Sequence, residues 1–289
     1  MNVQKDTSSV ALAYIQHARE ALKGKTLLTP LVQAGLTTTP GGNPIYLKAE
    51  YLQPTGSFKI RGATYCLSLL SESQRAAGVI TYSTGNHALA VALAGSQPGI
   101  ETTIVMSPDA PAFKVEATRH YGTTVLMSDP TSQARRELAE RLAKERGLYL
   151  VPPYDSLDVM AGQGTIGLEL LEQTTPAAVF VPIGGGGLIA GIASAIKQSE
   201  PDVRVIGVEP EWENDTYQSF HSGRRVTLPA SSASIADAIR VQTPGELTYP
   251  IIRRYVDDIV TVSEEEIASA TLLAAQDRRR PCGGSGYHP

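Results

Sequence analysis

Four consecutive glycines limit what this chain can fold into. In Val179-Phe-Val-Pro-Ile-Gly-Gly-Gly-Gly-Leu188 a β-branched segment runs through glycines into a small-residue stretch with helical spacing. That is the joint of a parallel sheet, where a strand turns directly into a crossover helix. Without side chains, the N–H groups of Gly184, Gly185, Gly186 and Gly187 can converge, and the helix start favours an anion. A phosphate monoester suits such a joint. The run lacks both the spaced glycines of a dinucleotide fingerprint and the Gly-Lys-Ser/Thr of a Walker loop.

The same order recurs along the chain. Apolar patterning predicts strands over 79–82, 102–106, 124–127, 148–151, 179–183, 203–208 and 257–262. Helices are predicted over 85–94, 112–121, 132–146, 164–173, 188–198 and 264–275. Upstream, Asp6, Thr7 and Ser8 offer caps for a first helix carrying Ala11, Ile15, Ala18 and Leu22 and ended by Gly24. An extended segment over 27–31 and a short strand over 45–50 follow, then a helix with Ala63, Leu67 and Leu70 inward. The alternation predicts an α/β fold of parallel sheets with helices on both faces. Ligands in such folds gather beyond the C-terminal ends of strands. Pro152-Pro153 marks a crossing point between two lobes.

Composition narrows the function classes. The 289 residues are 42% hydrophobic and 19% charged, enough for the core of a globular enzyme. A net charge of −4 gives no basic field for nucleic acid. No apolar run reaches membrane-span length, and residues 1–17 carry no signal-peptide pattern. Two cysteines without paired spacing fit a reducing, cytoplasmic setting and argue against a zinc site.

Two further stretches carry reactive groups. Pro54-Thr-Gly-Ser-Phe-Lys-Ile-Arg-Gly-Ala63 places a hydroxyl, an aromatic ring and the Lys59 amine in succession after a turn. An amine held beside the ring of Phe58 can form an imine with an aldehyde cofactor. Pyridoxal phosphate needs such a lysine, a phosphate cradle and a ring-nitrogen partner. Thr81-Tyr-Ser-Thr-Gly-Asn-His-Ala88 lies at another strand-to-helix joint and offers two hydroxyls, an amide and an imidazole. That loop could hold a carboxylate and the cofactor's ring oxygen; an N-cap with a packed histidine explains it equally well.

The three stretches in this order, with Gly162-Gln-Gly-Thr-Ile-Gly167, resemble the fold type II pyridoxal phosphate enzymes, tryptophan synthase beta-like in fold. The nearest likeness is the serine/threonine dehydratase and serine racemase branch, and it runs from the first helix to Leu273. The resemblance implies a large cofactor-binding lobe over 1–78 and 158–289, and a small lobe over 79–157. It makes Lys59 the Schiff-base lysine, packs Phe58 on the cofactor ring and sets Asn86 on the ring hydroxyl. Gly184, Gly185, Gly186, Gly187 and Leu188 become the phosphate cradle. Ser83, Thr84 and His87 receive the substrate carboxylate. Arg135 aligns with an arginine that reaches substrate acids in racemase-like members, although a salt-bridged surface residue is the stronger reading of its helix. Glu209-Pro-Glu-Trp-Glu-Asn-Asp215 resembles the branch's cation site, with carboxylates from Glu209 and Asp215 and a carbonyl from Glu213, suited to Mg²⁺ or Ca²⁺. An acidic surface loop is the alternative. A homodimer is implied as well.

The expected reaction is dehydration and deamination of a β-hydroxy amino acid, threonine or serine, to a 2-oxo acid and ammonia. Lys59 serves there as nucleophile and then as general base. Thr84 stands where serine racemases carry serine and many dehydratases alanine, so it is also a candidate catalytic acid on the second face. Racemisation is thus an alternative, as is a dehydratase-like role in hydroxyectoine catabolism. Two features depart from the branch. Ala238 replaces a glycine near the cofactor ring. After Ala275 the resemblance stops, and the Pro/Gly/Arg-rich end, with Arg278, Arg279, Arg280 and Cys282, reads as a frameshifted or truncated C-terminus. Ser285 comes too early to be the ring-nitrogen partner. An inactive pyridoxal phosphate-binding protein is therefore a third alternative.

Overall fold

The computed structural model describes residues 9–38, 40–229 and 234–276. The chain opens with α1 (Leu12–Leu22), and strands β1 (Leu31–Thr38) and β2 (Pro44–Lys48) form an antiparallel pair. Helices α2 (Lys59–Ser68) and α3 (Glu72–Ala77) follow. Next come β3 (Val79–Tyr82), α4 (Asn86–Ser96), β4 (Thr102–Met106), α5 (Ala112–His120), β5 (Thr124–Met127), α6 (Ser132–Arg146) and β6 (Tyr149–Leu150). The second half holds α7 (Leu157–Gln173), β7 (Ala178–Pro182), α8 (Gly187–Ser199), β8 (Arg204–Pro210), α9 (Asp215–Ser222), α10 (Thr248–Tyr255), β9 (Asp258–Val262) and α11 (Glu264–Gln276).

Two parallel sheets result, as the alternation predicts. One has the order β5-β4-β3-β6 and the other β7-β8-β9. Strand β4 is buried throughout, as expected for a strand covered on both faces. The second sheet is covered less evenly: Phe180 on its edge strand β7 is 66% exposed, and Leu272 and Leu273 of α11 also face solvent. Among the described residues, no helix is long and apolar enough to cross a membrane.

Helix α7 is the axis of the molecule. It packs on α1, α2 and α8, and Ser156 caps it by accepting from the Val159 N–H at 3.4 Å. It starts at Leu157 rather than at 164, because packing outweighs the low helix propensity of its glycines. Those glycines let backbones touch. A Cβ on Gly162 would lie 2.6 Å from the Cα of Gly62 in α2, and one on Gly164 would lie 2.9 Å from the Gly191 carbonyl in α8. The lysine-bearing helix and the helix after the glycine run are thus clamped to one rod. A buried ion cluster adds to the clamp. Arg61 of α2 meets Glu50 at 2.8 Å and Glu169 of α7 at 2.6 Å, while Lys48 meets Glu169 at 2.6 Å.

Sequence patterning missed β1, α3, α9 and α10. Helix α10 carries Pro250 in its first turn, a position a helix tolerates but which reads as a break. The expected caps Asp6, Thr7 and Ser8 lie outside the described residues, as do Arg278, Arg279, Arg280, Cys282 and Ser285 of the atypical end.

Candidate active site

Lys59 is the first residue of α2. Its Nζ donates to the Pro153 carbonyl at 2.6 Å and lies 5.3 Å from the centroid of the Phe58 ring. No ion pair joins it to another described residue. Burial of the amine lowers its pKa to about 8, so about a tenth is unprotonated at pH 7 and about half at pH 8. Ser57 Oγ and Thr55 Oγ1 beside it in sequence are buried polar atoms without hydrogen-bond partners.

The loop between β3 and α4 is built from short local bonds. Gly85 N donates to Ser83 Oγ at 3.2 Å, and Ser107 N donates to Thr84 Oγ1 at 3.3 Å. That second bond fills one acceptor position on Thr84 and does not use its O–H proton. Asn86 and His87 form the first turn of α4, whose leading N–H groups have no intrahelical acceptor. His87 Nε2 meets the Val151 carbonyl at 3.2 Å, and its Nδ1 is buried without a partner. Burial, then the charge of Lys59, hold the His87 pKa down near 3, so the ring is neutral.

At the glycine run, β7 passes through Gly184 and Gly185 to Gly186, whose φ of +90° favours glycine, and α8 starts at Gly187. Leu188 is partly exposed in the first turn. A Cβ on Gly185 would sit 2.3 Å from Cγ of Tyr154, and one on Gly187 2.9 Å from Cβ of Tyr154. One on Gly184 would lie 3.2 Å from the Cα of Ile239, so the segment holding Ala238 borders the run, as its alignment implies. Thr248 Oγ1 donates to the Gly185 carbonyl at 2.8 Å.

One segment, 151–155, touches all three stretches. The Val151 carbonyl accepts from His87 and, at 2.7 Å, from Thr81 Oγ1. The Pro153 carbonyl accepts from Lys59, and Tyr154 packs on the glycines. The Asp155 carboxylate accepts from the backbone N–H groups of Glu246, Leu247 and Thr248 at 3.0, 2.9 and 3.2 Å. Sequence reading singled out Pro152-Pro153, as an expected crossing between lobes, but missed Tyr154, Asp155 and Thr248. Only spatial proximity marks them; Thr248 also starts a helix hidden by Pro250.

Arg135 is half-buried at the start of α6 and has no ion pair with a described residue. It donates to the Pro130 carbonyl at 3.0 Å and to Ser132 Oγ at 2.7 Å. Ser107 Oγ reaches the same carbonyl at 3.5 Å, so two shared partners separate Arg135 from Thr84. Burial lowers its pKa, and no carboxylate offsets that.

Glu209, Glu213 and Asp215 are each only 1% exposed. Glu209 caps α9, accepting from Thr216 N at 3.3 Å and Tyr217 N at 2.6 Å. Burial raises its pKa to about 7; burial and then the Glu209 charge raise that of Asp215 to about 9. Asp215 Oδ2 is buried without a hydrogen-bond partner. Among the described residues, no group of three or more acidic, histidine or cysteine side chains converges as a metal site. The expected set has two carboxylates and one carbonyl, a donor chemistry that fits a hard cation.

The residues fit pyridoxal phosphate: a half-buried amine of lowered pKa, unpaired buried hydroxyls two and four residues before it, and a glycine run closed to side chains at a helix start. Comparison with known proteins agrees. A family model described as pyridoxal-phosphate dependent enzyme matches residues 22–288, so the likeness extends past Ala275, where sequence reading expected it to stop. The chain is 45% identical over 260 residues to the L-threo-3-hydroxyaspartate ammonia-lyase of a Pseudomonas species, covering 90% of this chain and 81% of that protein. It is 42% identical over 284 residues to a catabolic L-threonine dehydratase of Staphylococcus aureus, covering 97% and 81%. Maize serine racemase superposes with a TM-score of 0.88 at 37% identity, covering 92% and 80%. The chain belongs to the pyridoxal-phosphate dependent enzymes of fold type II, in the branch that holds threonine dehydratases, hydroxyaspartate ammonia-lyases and serine racemases.

Proposed function

We propose that this chain is an ammonia-lyase that converts L-threonine or L-serine to a 2-oxo acid and ammonia. The observation that carries the reading is Lys59, a half-buried amine with a pKa near 8, held by the segment that also braces the phosphate cradle. Bound pyridoxal phosphate supplies the electron sink for reaction at the substrate's Cα. The glycine run would hold the phosphate, Phe58 would pack beside the ring and Asn86 would meet the ring oxygen. Ser83, Thr84 and the start of α4 orient the substrate carboxylate with hydroxyl and N–H donors. His87 stays neutral and braces the loop through Val151. Lys59, unprotonated in an appreciable fraction, takes the Cα proton. The β-hydroxyl leaves as water, a later hydrolysis consumes one water, and the net products are the 2-oxo acid and ammonia.

Glu209, Asp215 and the Glu213 carbonyl are part of the proposal as a Mg²⁺ or Ca²⁺ site that would relieve two raised carboxylate pKa values. A homodimer belongs to it as well. Two observations favour variants of the reading. Arg135, half-buried near the Thr84 loop and without an ionic partner among the described residues, favours an acidic β-hydroxy amino acid such as 3-hydroxyaspartate. The Thr84 hydroxyl, oriented by Ser107, favours some racemisation. The test is 2-oxo acid formation from L-threonine, L-serine and L-threo-3-hydroxyaspartate by wild type and Lys59→Ala, with chiral analysis of recovered substrate. Product from the wild type alone is expected. Equal product from Lys59→Ala, or none from any substrate with cofactor bound, would sink the reading.

A further inference from the structure

Four glycines in a row make a poor binding surface unless something holds them, because glycine backbone is the least restricted of all. The neighbours of Gly185 show what does so. On its Cα side lies the Tyr154 ring: Cγ, Cδ1 and Cδ2 would stand 2.3–2.4 Å from a Cβ on Gly185, and the Cα, Cβ and carbonyl oxygen of Tyr154 2.9–3.0 Å from one on Gly187. On its carbonyl side, Thr248 Oγ1 donates at 2.8 Å and Gly245 N at 3.4 Å. The turn that brings both donors is tied by Asp155, whose carboxylate accepts three successive N–H groups. The residue before Tyr154, Pro153, holds Lys59. Three consecutive residues therefore brace both ends of the cofactor site. The lysine is held by a carbonyl, one face of the cradle by an aromatic wall and the other by an acid-capped turn.

We propose that Tyr154 is a positioning residue for the phosphate cradle, acting through its ring, and that it underlies the preference for phosphorylated over unphosphorylated pyridoxal. Asp155 assists by fixing the Gly185 carbonyl. The wall works by preorganisation: with the ring in place the glycines present their N–H groups in one arrangement, and without it they must be ordered by the ligand. The phenol oxygen is not needed for this, so the role belongs to the ring. The idea concerns cofactor binding and stands apart from which amino acid is turned over.

The experiment titrates apo-protein with pyridoxal 5′-phosphate and, separately, with pyridoxal. Visible absorbance of the bound cofactor gives each dissociation constant for wild type, Tyr154→Phe, Tyr154→Ala and Asp155→Asn. Tyr154→Phe should stay within about twofold of wild type for both ligands, while Tyr154→Ala should lose about tenfold for the phosphate form and little for pyridoxal. Asp155→Asn should lower the same selectivity ratio. A merely structural role would weaken both ligands equally and leave the ratio unchanged, which overturns the proposal. So does a Tyr154→Phe loss as large as that of Tyr154→Ala. If Tyr154→Ala does not fold, Tyr154→Leu and Asp155→Asn decide by the same ratio. Binding is read without turnover, so a failure of the ammonia-lyase reading would show as missing product with this ratio intact.

Discussion

Replacing Arg61 by methionine tests the clamp that holds the lysine helix. The guanidinium is 1% exposed. Its Nε and Nη2 bind Glu50, each at 2.8 Å, and Nη1 and Nη2 bind Glu169 at 2.6 and 2.8 Å. Nη1 also reaches Thr165, and Nη2 the Leu27 carbonyl. Burial alone would lower the arginine pKa, but Glu50 and Glu169 override it and hold it above the ordinary value. Lys48 and Arg61 balance Glu50 and Glu169, two charges against two. Arg61→Met leaves one carboxylate uncompensated, which costs about 3–5 kcal/mol at a buried site. At about 2–4 °C per kcal/mol, thermal unfolding should fall by about 6–20 °C. The informative partner is Arg61→Met with Glu169→Gln, where Lys48 and Glu50 again balance. Calorimetric or circular-dichroism melts should place the double variant above Arg61→Met alone. A single-variant cost under about 1 kcal/mol, the range of surface pairs, would refute the reasoning. So would a double variant as unstable as the sum of both singles.

Other outcomes follow from the same contacts. Lys59 has its pKa depressed from 10.5 to about 8, so between those values the unfolded chain binds the extra proton and stability rises with pH. The penalty is complete below pH 8. Lys59→Met should therefore stabilise the apo-protein at pH 7 by up to about 3 kcal/mol, fading towards pH 10.5, and denaturant melts across pH would show it. Gly162→Ala gains about 1 kcal/mol of helix propensity. Its Cβ would nonetheless meet the backbone of Arg61 and Gly62 at 2.6–2.9 Å. Overpacking there costs about 1–3 kcal/mol or more, so a net loss in melting temperature is expected and a rise would be the contrary result. Thr84→Ala should suppress any interconversion of enantiomers by about a hundredfold and lower 2-oxo acid formation far less, because Ser83 and the N–H groups of α4 still hold the carboxylate. Chiral chromatography of residual substrate checks it, and equal loss of both activities would remove Thr84 from a second-face role.

Particular residues show where sequence reading succeeded and where it stopped. The alternation of strands and helices was legible because burial imposes period 2 or 3.6 on local sequence, and the three joints were legible because glycine runs and N-cap residues act locally. Lys59, the Ser83 loop and residues 184–187 could therefore be singled out from the chain alone, as could the family likeness. Helix α10 was hidden by Pro250, and the start of α7 by the helix-disfavouring Gly162 and Gly164. In both cases propensity is a local quantity that tertiary packing overrode.

What the linear chain determined, then, was the set of parts: parallel α/β layers, a glycine run at a strand-to-helix joint, an amine and a hydroxyl-bearing loop. What only tertiary structure decided was how those parts are held. Tyr154 and Asp155 carry no motif, yet they brace Gly185, a residue about thirty positions away in sequence. The lowered Lys59 pKa, the unpaired buried oxygen of Asp215 and the bond of Arg135 to the Pro130 carbonyl are likewise products of surroundings. Desolvation and hydrogen-bond satisfaction depend on every atom packed around a group, wherever it lies in the chain, and a one-dimensional pattern carries no record of that neighbourhood.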